Sequence, residues 1–153
     1  MGRSLCWLLG IVLVACGSSS SKGDRRAFLI AAENGDAHIV QAQLDNGVQP
    51  DDVFQINDRT ALCLAAINGH PAVVELLLKK GADVQQQHLG ASIKMEVKQQ
   101  WGHIKDAHAN PESTATYKKV DGTVVPLKSL RLSDSDFERV VKLIDDAMAR
   151  AAK

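Results

Sequence analysis

The sequence predicts an all-α protein in the main, built as a stack of helical hairpins. Three observations predict it. A stretch of 25 residues beginning at Arg26 recurs from Thr60 at a constant offset of 34, and echoes at such a period mark stacked supersecondary units. Aromatic residues make up 4% of a chain that is 45% hydrophobic. Its core must therefore be Leu, Ile, Val and Ala, which suits close-packed helices better than aromatic-rich strands. Finally, Phe137, Val140, Val141, Ile144 and Met148 fall at helical spacing on one face of the last segment.

The first element is a leader. Met1-Gly2-Arg3 is positive, and LCWLLGIVLV over residues 5–14 is an apolar run. That run is short of the roughly 20 residues a membrane-spanning helix needs, and such a start is set aside before the fold is considered. Leu13-Val14-Ala15-Cys16 resembles the lipobox of bacterial lipoproteins. The resemblance implies cleavage after residue 15, a diacylglycerol on Cys16 and acylation of the new amino end. Gly17 stands where that family's inner-membrane retention signal usually has Asp, which implies the outer membrane, facing the periplasm. An ordinary secretory signal cut near Ala15, or an uncleaved anchor, is the other reading. Lipid on one residue holds a soluble domain well, at ~0.8 kcal/mol per buried methylene. With Cys6 removed and Cys16 lipidated, Cys63 is then the only free thiol of the mature chain, so no internal disulfide forms. Residues 16–25 read as the lipidated cysteine and a flexible polar tether, GSSSSKGD.

Residues 26–88 carry the repeats, divided as 26–59 and 60–88. Ala27, Ala31, Ala32, Asn34, Gly35, Val40, Leu44 and Gly47 recur as Ala61, Ala65, Ala66, Asn68, Gly69, Val74, Leu78 and Gly81. Thr60 is placed to cap a first helix. Its alanines let neighbouring helices approach closely. Asn68-Gly69 ends it, with Gly69 free to adopt a left-handed conformation. Pro71 suits the first turn of a second helix, which buries Val73, Val74 and the run Leu76-Leu77-Leu78. Lys79 and Lys80 favour its carbonyl end.

Thr60-Ala61-Leu62-Cys63-Leu64-Ala65-Ala66, Gly69-His70, Leu76-Leu77-Leu78 and Gly81-Ala82-Asp83 resemble the ankyrin repeat. Ala61 stands where that family has proline, and Cys63 where it has histidine, so a hydrogen bond across the inter-repeat turn is expected to be lost. The first copy is more degenerate, as suits an end repeat. The linking segment over 51–59 is expected to form a slightly enlarged β-turn finger.

Residues 89–153 read as a degenerate third unit, an insert and a C-terminal capping helix. Gly102-His103 lies 33 residues beyond Gly69-His70. Ser92 is placed to cap a helix carrying Ile93, Val97, Trp101 and Ile104 on one side. From Asp106 to Leu132 the pattern breaks, with a small β-hairpin expected to turn through Asp121-Gly122 as a two-residue loop. Ser133 and Asp136 have capping-box spacing. Two repeats rarely stand alone, so covering the flank of the second is the expected task of this region. Trp101 is expected in the core, the alternative being an exposed anchor of the kind found at interface hot spots.

The 18 basic and 18 acidic residues balance, which argues against nucleic acid as a partner. No phosphate-binding glycine loop and no nucleophile with a partner base appear, so the chain reads as no enzyme, without cofactor or metal. His103, Asp106 and His108 are too loosely spaced for a zinc site. Asp134, Asp136 and Glu138 read as helix-starting residues. Cys63 is a redox thiol or an inert small hydrophobe, the second being commoner in an alanine-lined helix.

The expected function is that of a lipid-tethered protein–protein interaction module of the bacterial envelope. Ankyrin proteins bind through finger tips and the concave face of the first helices. Carried over by position, the contacts are Gln49, Asp51, Asp52, Phe54, Asp58 and Arg59 in the finger, and Glu33, Cys63 and Ile67 on the first helices. The finger acids imply a partner with a basic patch. Alternative roles are a structural spacer, a toxin-neutralising protein of immunity type, or an accessory to a metal protein or enzyme through residues 89–132.

Overall fold

Both echoed stretches fold into helix–turn–helix units in a computed structural model, which describes residues 22–52, 59–88, 91–130 and 133–152. The leader, Cys16, Phe54 and Asp58 lie outside the described residues. The first unit pairs α1 (Lys22–Asn34) with α2 (Ala37–Asp45), and the second pairs α3 (Ala61–Ile67) with α4 (Pro71–Lys79). A short antiparallel ribbon follows, β1 (Gln87–His88) on β2 (Ala91–Ser92), with Gln87 opposite Ser92. Then come α5 (Ile93–Ala109), the hairpin β3 (Thr116–Lys118) and β4 (Val124–Pro126), a single 3₁₀ turn at Leu127–Ser129, and α6 (Asp134–Ala151).

The helices form two layers. α3 packs between α1 and α5, while α4 packs between α2 and α6, and α5 also touches α6. The third unit is therefore a complete hairpin, with α6 in the second-helix position and residues 110–132 inserted at its turn. All seven residues of α3 are buried, and its alanines make the close approach to both neighbours feasible.

Local chemistry sets the boundaries. Thr60 accepts from the Cys63 N–H, and Ser92 from the Met95 N–H. Ser133 accepts from the Asp136 N–H at 3.1 Å, as its capping-box spacing predicts. Pro71 opens α4. Two boundaries differ from expectation. Residues 22–25, read as tether, form the first turn of α1, where Arg25 is held by Asp52 at 3.6 Å. α5 continues past Asp106 to Ala109 because Ala107 still faces the core.

The β3–β4 hairpin turns at the expected place with a different loop. The Lys119 N–H donates to the Thr123 carbonyl at 2.8 Å, and the Gly122 N–H to the Lys119 carbonyl at 3.0 Å. Three residues, 120–122, make the turn, with Gly122 at φ +93°, the pattern of a type I turn closed by a left-handed residue. Trp101 is core: it stacks on Phe137 with ring centroids 4.8 Å apart and planes 4° from parallel. That stack joins α5 to α6.

The Gly-His motif acts between units. His70 opens α4, yet its Nε2–H donates to the Glu33 carbonyl of α1 at 2.9 Å. The carbonyl can only accept, which fixes the proton on Nε2. The ring lies over Gly35, at φ +83°, where an added Cβ would sit 2.6 Å from Nδ1. Burial lowers the His70 pKa below its ordinary 6.5, with the Glu33 bond partly opposing the shift. The unfolded chain therefore binds more protons than the folded one below about pH 6.5, and stability falls as pH drops through that window. Thermal midpoints measured from pH 7.5 to 5.5 should decline, and the decline in this range should flatten in His70→Gln.

Candidate functional site

The expected binding residues separate into two groups. Gln49 is exposed, and Asp51, Asp52 and Arg59 are partly exposed. They sit where consecutive units join. Asp51 Oδ1 accepts from the Asp83 N–H at 2.9 Å, tying the finger of the first unit to the corresponding loop of the second. Lys80 reaches back to Asp45 at 2.9 Å; the Gln41 amide, and then Lys80, hold the Asp45 carboxyl below the usual range. Exposed pairs of this kind add little stability, because water and salt screen them. Their effect is to fix the rim as an ordered edge rich in carboxylates.

Glu33, Cys63 and Ile67 correct the expectation of an open helical face. All three are 3% exposed or less. Glu33 is covered by the insert: its carboxylate accepts from the Tyr117 hydroxyl at 2.7 Å and from the Val120 N–H at 2.9 Å. Asn68, at the end of α3 and one residue past the position equivalent to Glu33, donates to the Tyr117 oxygen at 3.3 Å and to the Leu64 carbonyl at 2.9 Å. Lys119 reaches Asn34 at 2.9 Å, and Arg26 reaches the Asp121 carbonyl at 3.2 Å. The chain spends this end of its first helices on its own hairpin.

Cys63 lies between α3 and α5. Its thiol donates to Glu96 Oε2 at 3.6 Å, and Arg59 Nε donates to the same oxygen at 3.2 Å. So a polar contact does cross between units at the position where one was expected to be lost; Glu96 supplies it. Burial, and then the neighbouring carboxylate, push the Cys63 thiol up to about 12. A thiol so held is protonated at neutral pH, which answers the redox question in favour of an inert side chain. Beside it, Arg59, Ile67, Glu96, Gln99, Gln100 and His103 line a cleft of about 190 Å³.

Glu96, Tyr117 and Asn68 were not anticipated. Glu96 had a signal, since it stands 33 residues after Cys63, the same spacing that marked Gly102-His103. Tyr117 had none beyond being the only tyrosine. His108 Nε2–H donates to the Leu130 carbonyl at 3.2 Å, and His103 faces the cleft. Among the described residues no three His, Cys, Asp or Glu side chains are grouped to hold a metal ion.

The inner and outer helical layers, the glycine turns and the finger ties together define a protein of the helical-repeat class. The chain belongs to the ankyrin-repeat family: the family described as ankyrin repeats, in three copies, matches residues 4–88. That span takes in residues read as leader and ends before α5. The α5–α6 unit lies beyond it. No curated protein matches the chain.

If burial governs Cys63, its thiol resists modification. In the chain with Cys6→Ser and Cys16→Ser, an aromatic disulfide reagent at pH 8 should react with the folded protein at least about a hundredfold more slowly than in denaturant. Equal rates would mean that α3 and α5 do not stay closed.

Proposed function

We propose that this chain is a lipid-anchored ankyrin-repeat protein of the bacterial envelope that binds another protein through its finger rim. The observation that carries the reading is the division just described. The chain covers the ends of α1 and α3 with its own insert, and it leaves Gln49, Asp51, Asp52 and Arg59 at an ordered edge. Phe54 and Asp58 of the same segment extend that edge in sequence. Its carboxylates favour a partner with a basic patch, which would speed encounter and fix orientation more than it would add affinity. Membrership of a family of interaction modules supports protein as the ligand.

The envelope address rests on the leader, Leu13-Val14-Ala15-Cys16 and Gly17. Among the described residues no helix is long and apolar enough to cross a membrane, so on this reading the lipid at Cys16 is what holds the domain to the bilayer.

One experiment tests both halves. Partners are crosslinked and recovered from membranes of cells making the full chain, or the chain with Asp51→Ala, Asp52→Ala and Phe54→Ala. The triple variant should lower recovery at least about fivefold, as expected when interface residues carry more than 1 kcal/mol, while circular dichroism stays unchanged. Cys16→Ser should move the chain out of the membrane fraction. Undiminished recovery would remove the finger from the binding surface, and unaltered fractionation would remove the anchor.

A further inference from the structure

The β3–β4 hairpin is fastened differently on its two sides. At its base the Leu127 N–H donates to the Ala115 carbonyl at 2.9 Å. Leu127 is buried, and the 3₁₀ turn that carries it packs on α5. Toward α1 and α3 the attachment is polar. Tyr117 and Val120 donate to the Glu33 carboxylate, Lys119 donates to Asn34, and Arg26 of α1 donates to the Asp121 carbonyl. Of residues 116–126 only Tyr117 is buried, and Val124 is 59% exposed. The hairpin therefore sets one ring and a group of hydrogen bonds against the stack.

What it covers is polar as well. Glu33, Asn34, Asn68 and His70 of the first two units, with Lys119 of the hairpin, line a cavity of about 180 Å³. Lifting α5 from the stack would bare buried side chains such as Val97 and Ile104, at a cost that grows with apolar area. Lifting the hairpin trades protein hydrogen bonds for bonds to water, a nearly even exchange. It also returns the Glu33 carboxylate to hydration. Local opening follows the path that uncovers least apolar surface, and in this molecule that path runs along the hairpin.

We infer that the hairpin is a lid, hinged where Ala115 meets Leu127 and latched at Glu33, which opens as a unit while the helices stay packed. Opening gives the Glu33 carboxylate and the Asn34 and Asn68 amides to solvent, and closing removes them again. The hinge lies at the ends of the strands, where a few loop residues can absorb the change in backbone angles. The inference goes beyond the rim and its partner and does not depend on either.

The test is native-state hydrogen exchange on the full 153-residue chain, ¹⁵N-labelled in detergent, with urea added below the unfolding range. The Val120 N–H reports the latch, because its acceptor lies on α1. The Leu64 N–H, bonded to the Thr60 carbonyl at 3.0 Å, reports the stack. Val120 should be at least about a hundredfold less protected than Leu64, with a far smaller urea dependence, because the opening uncovers little surface. Val74→Ala, in the core of α4, should speed Leu64 at least about tenfold and leave Val120 unchanged. Tyr117→Phe keeps the ring, removes its donor, and should speed Val120 at least about fivefold. Equal protection and equal urea dependence at the two amides, or a Val74→Ala chain in which both speed up alike, would make the hairpin part of the stack and overturn the lid. No change at Val120 in Tyr117→Phe would overturn the latch. Exchange of Val120 at the rate of an unstructured peptide would overturn closure at Glu33.

Discussion

A helix without a polar face has to be enclosed, and α3 is such a helix. Each of its seven residues is buried, so water can touch none of its sides and other helices must. α1 covers one flank, α5 the other, and α4 lies across it. Every other feature follows from meeting that demand with a chain of modest length. The second unit cannot end the stack, because its far flank is as apolar as its near one. α5 and α6 exist to close it, and the Trp101–Phe137 stack keeps that closing pair together.

Enclosure by packing alone leaves polar groups to settle, and two carboxylates do most of that. Glu33 accepts from Tyr117 and Val120, and Glu96 accepts from Arg59 and Cys63. Both are more than nine-tenths buried. A carboxylate at that depth is tolerable only with its oxygens engaged. These bonds discriminate between correct and incorrect seating of the third unit more sharply than apolar contact can. They also explain why the concave-face positions of the family are not free here. An element that closes a short stack on the inner side takes up surface that a longer array would leave to a ligand.

The rim has a different physical character. Its ties, Asp51 to the Asp83 N–H and Lys80 to Asp45, are solvent-exposed. They order the edge at little cost in desolvation and leave Gln49 and the carboxylates able to meet a partner. A chain that spends its inner face on self-packing leaves this outer edge in water, where the proposed partner would meet it.

Residues close in the chain settled what they settle through local geometry. Thr60, Ser92 and Ser133 as caps, Gly69 and Gly122 as turns, Pro71 as a helix start and the Asn-Gly ends of both first helices were legible. Each acts on backbone within a few residues of itself. The 34-residue echo likewise determined two hairpins of one kind, and apolar spacing determined α5 and α6. Of the finger positions, Gln49, Asp51, Asp52 and Arg59 fall among the described residues, and their partners were not legible. What tertiary structure alone decided was who covers whom. That α6 takes the second-helix position across a long insert, that Tyr117 reaches Glu33 from 84 residues away, and that Glu33, Cys63 and Ile67 are inside all depend on contacts between distant segments. Burial is a property of neighbours in space, and a side chain's own identity does not encode which distant segment will arrive to remove its water.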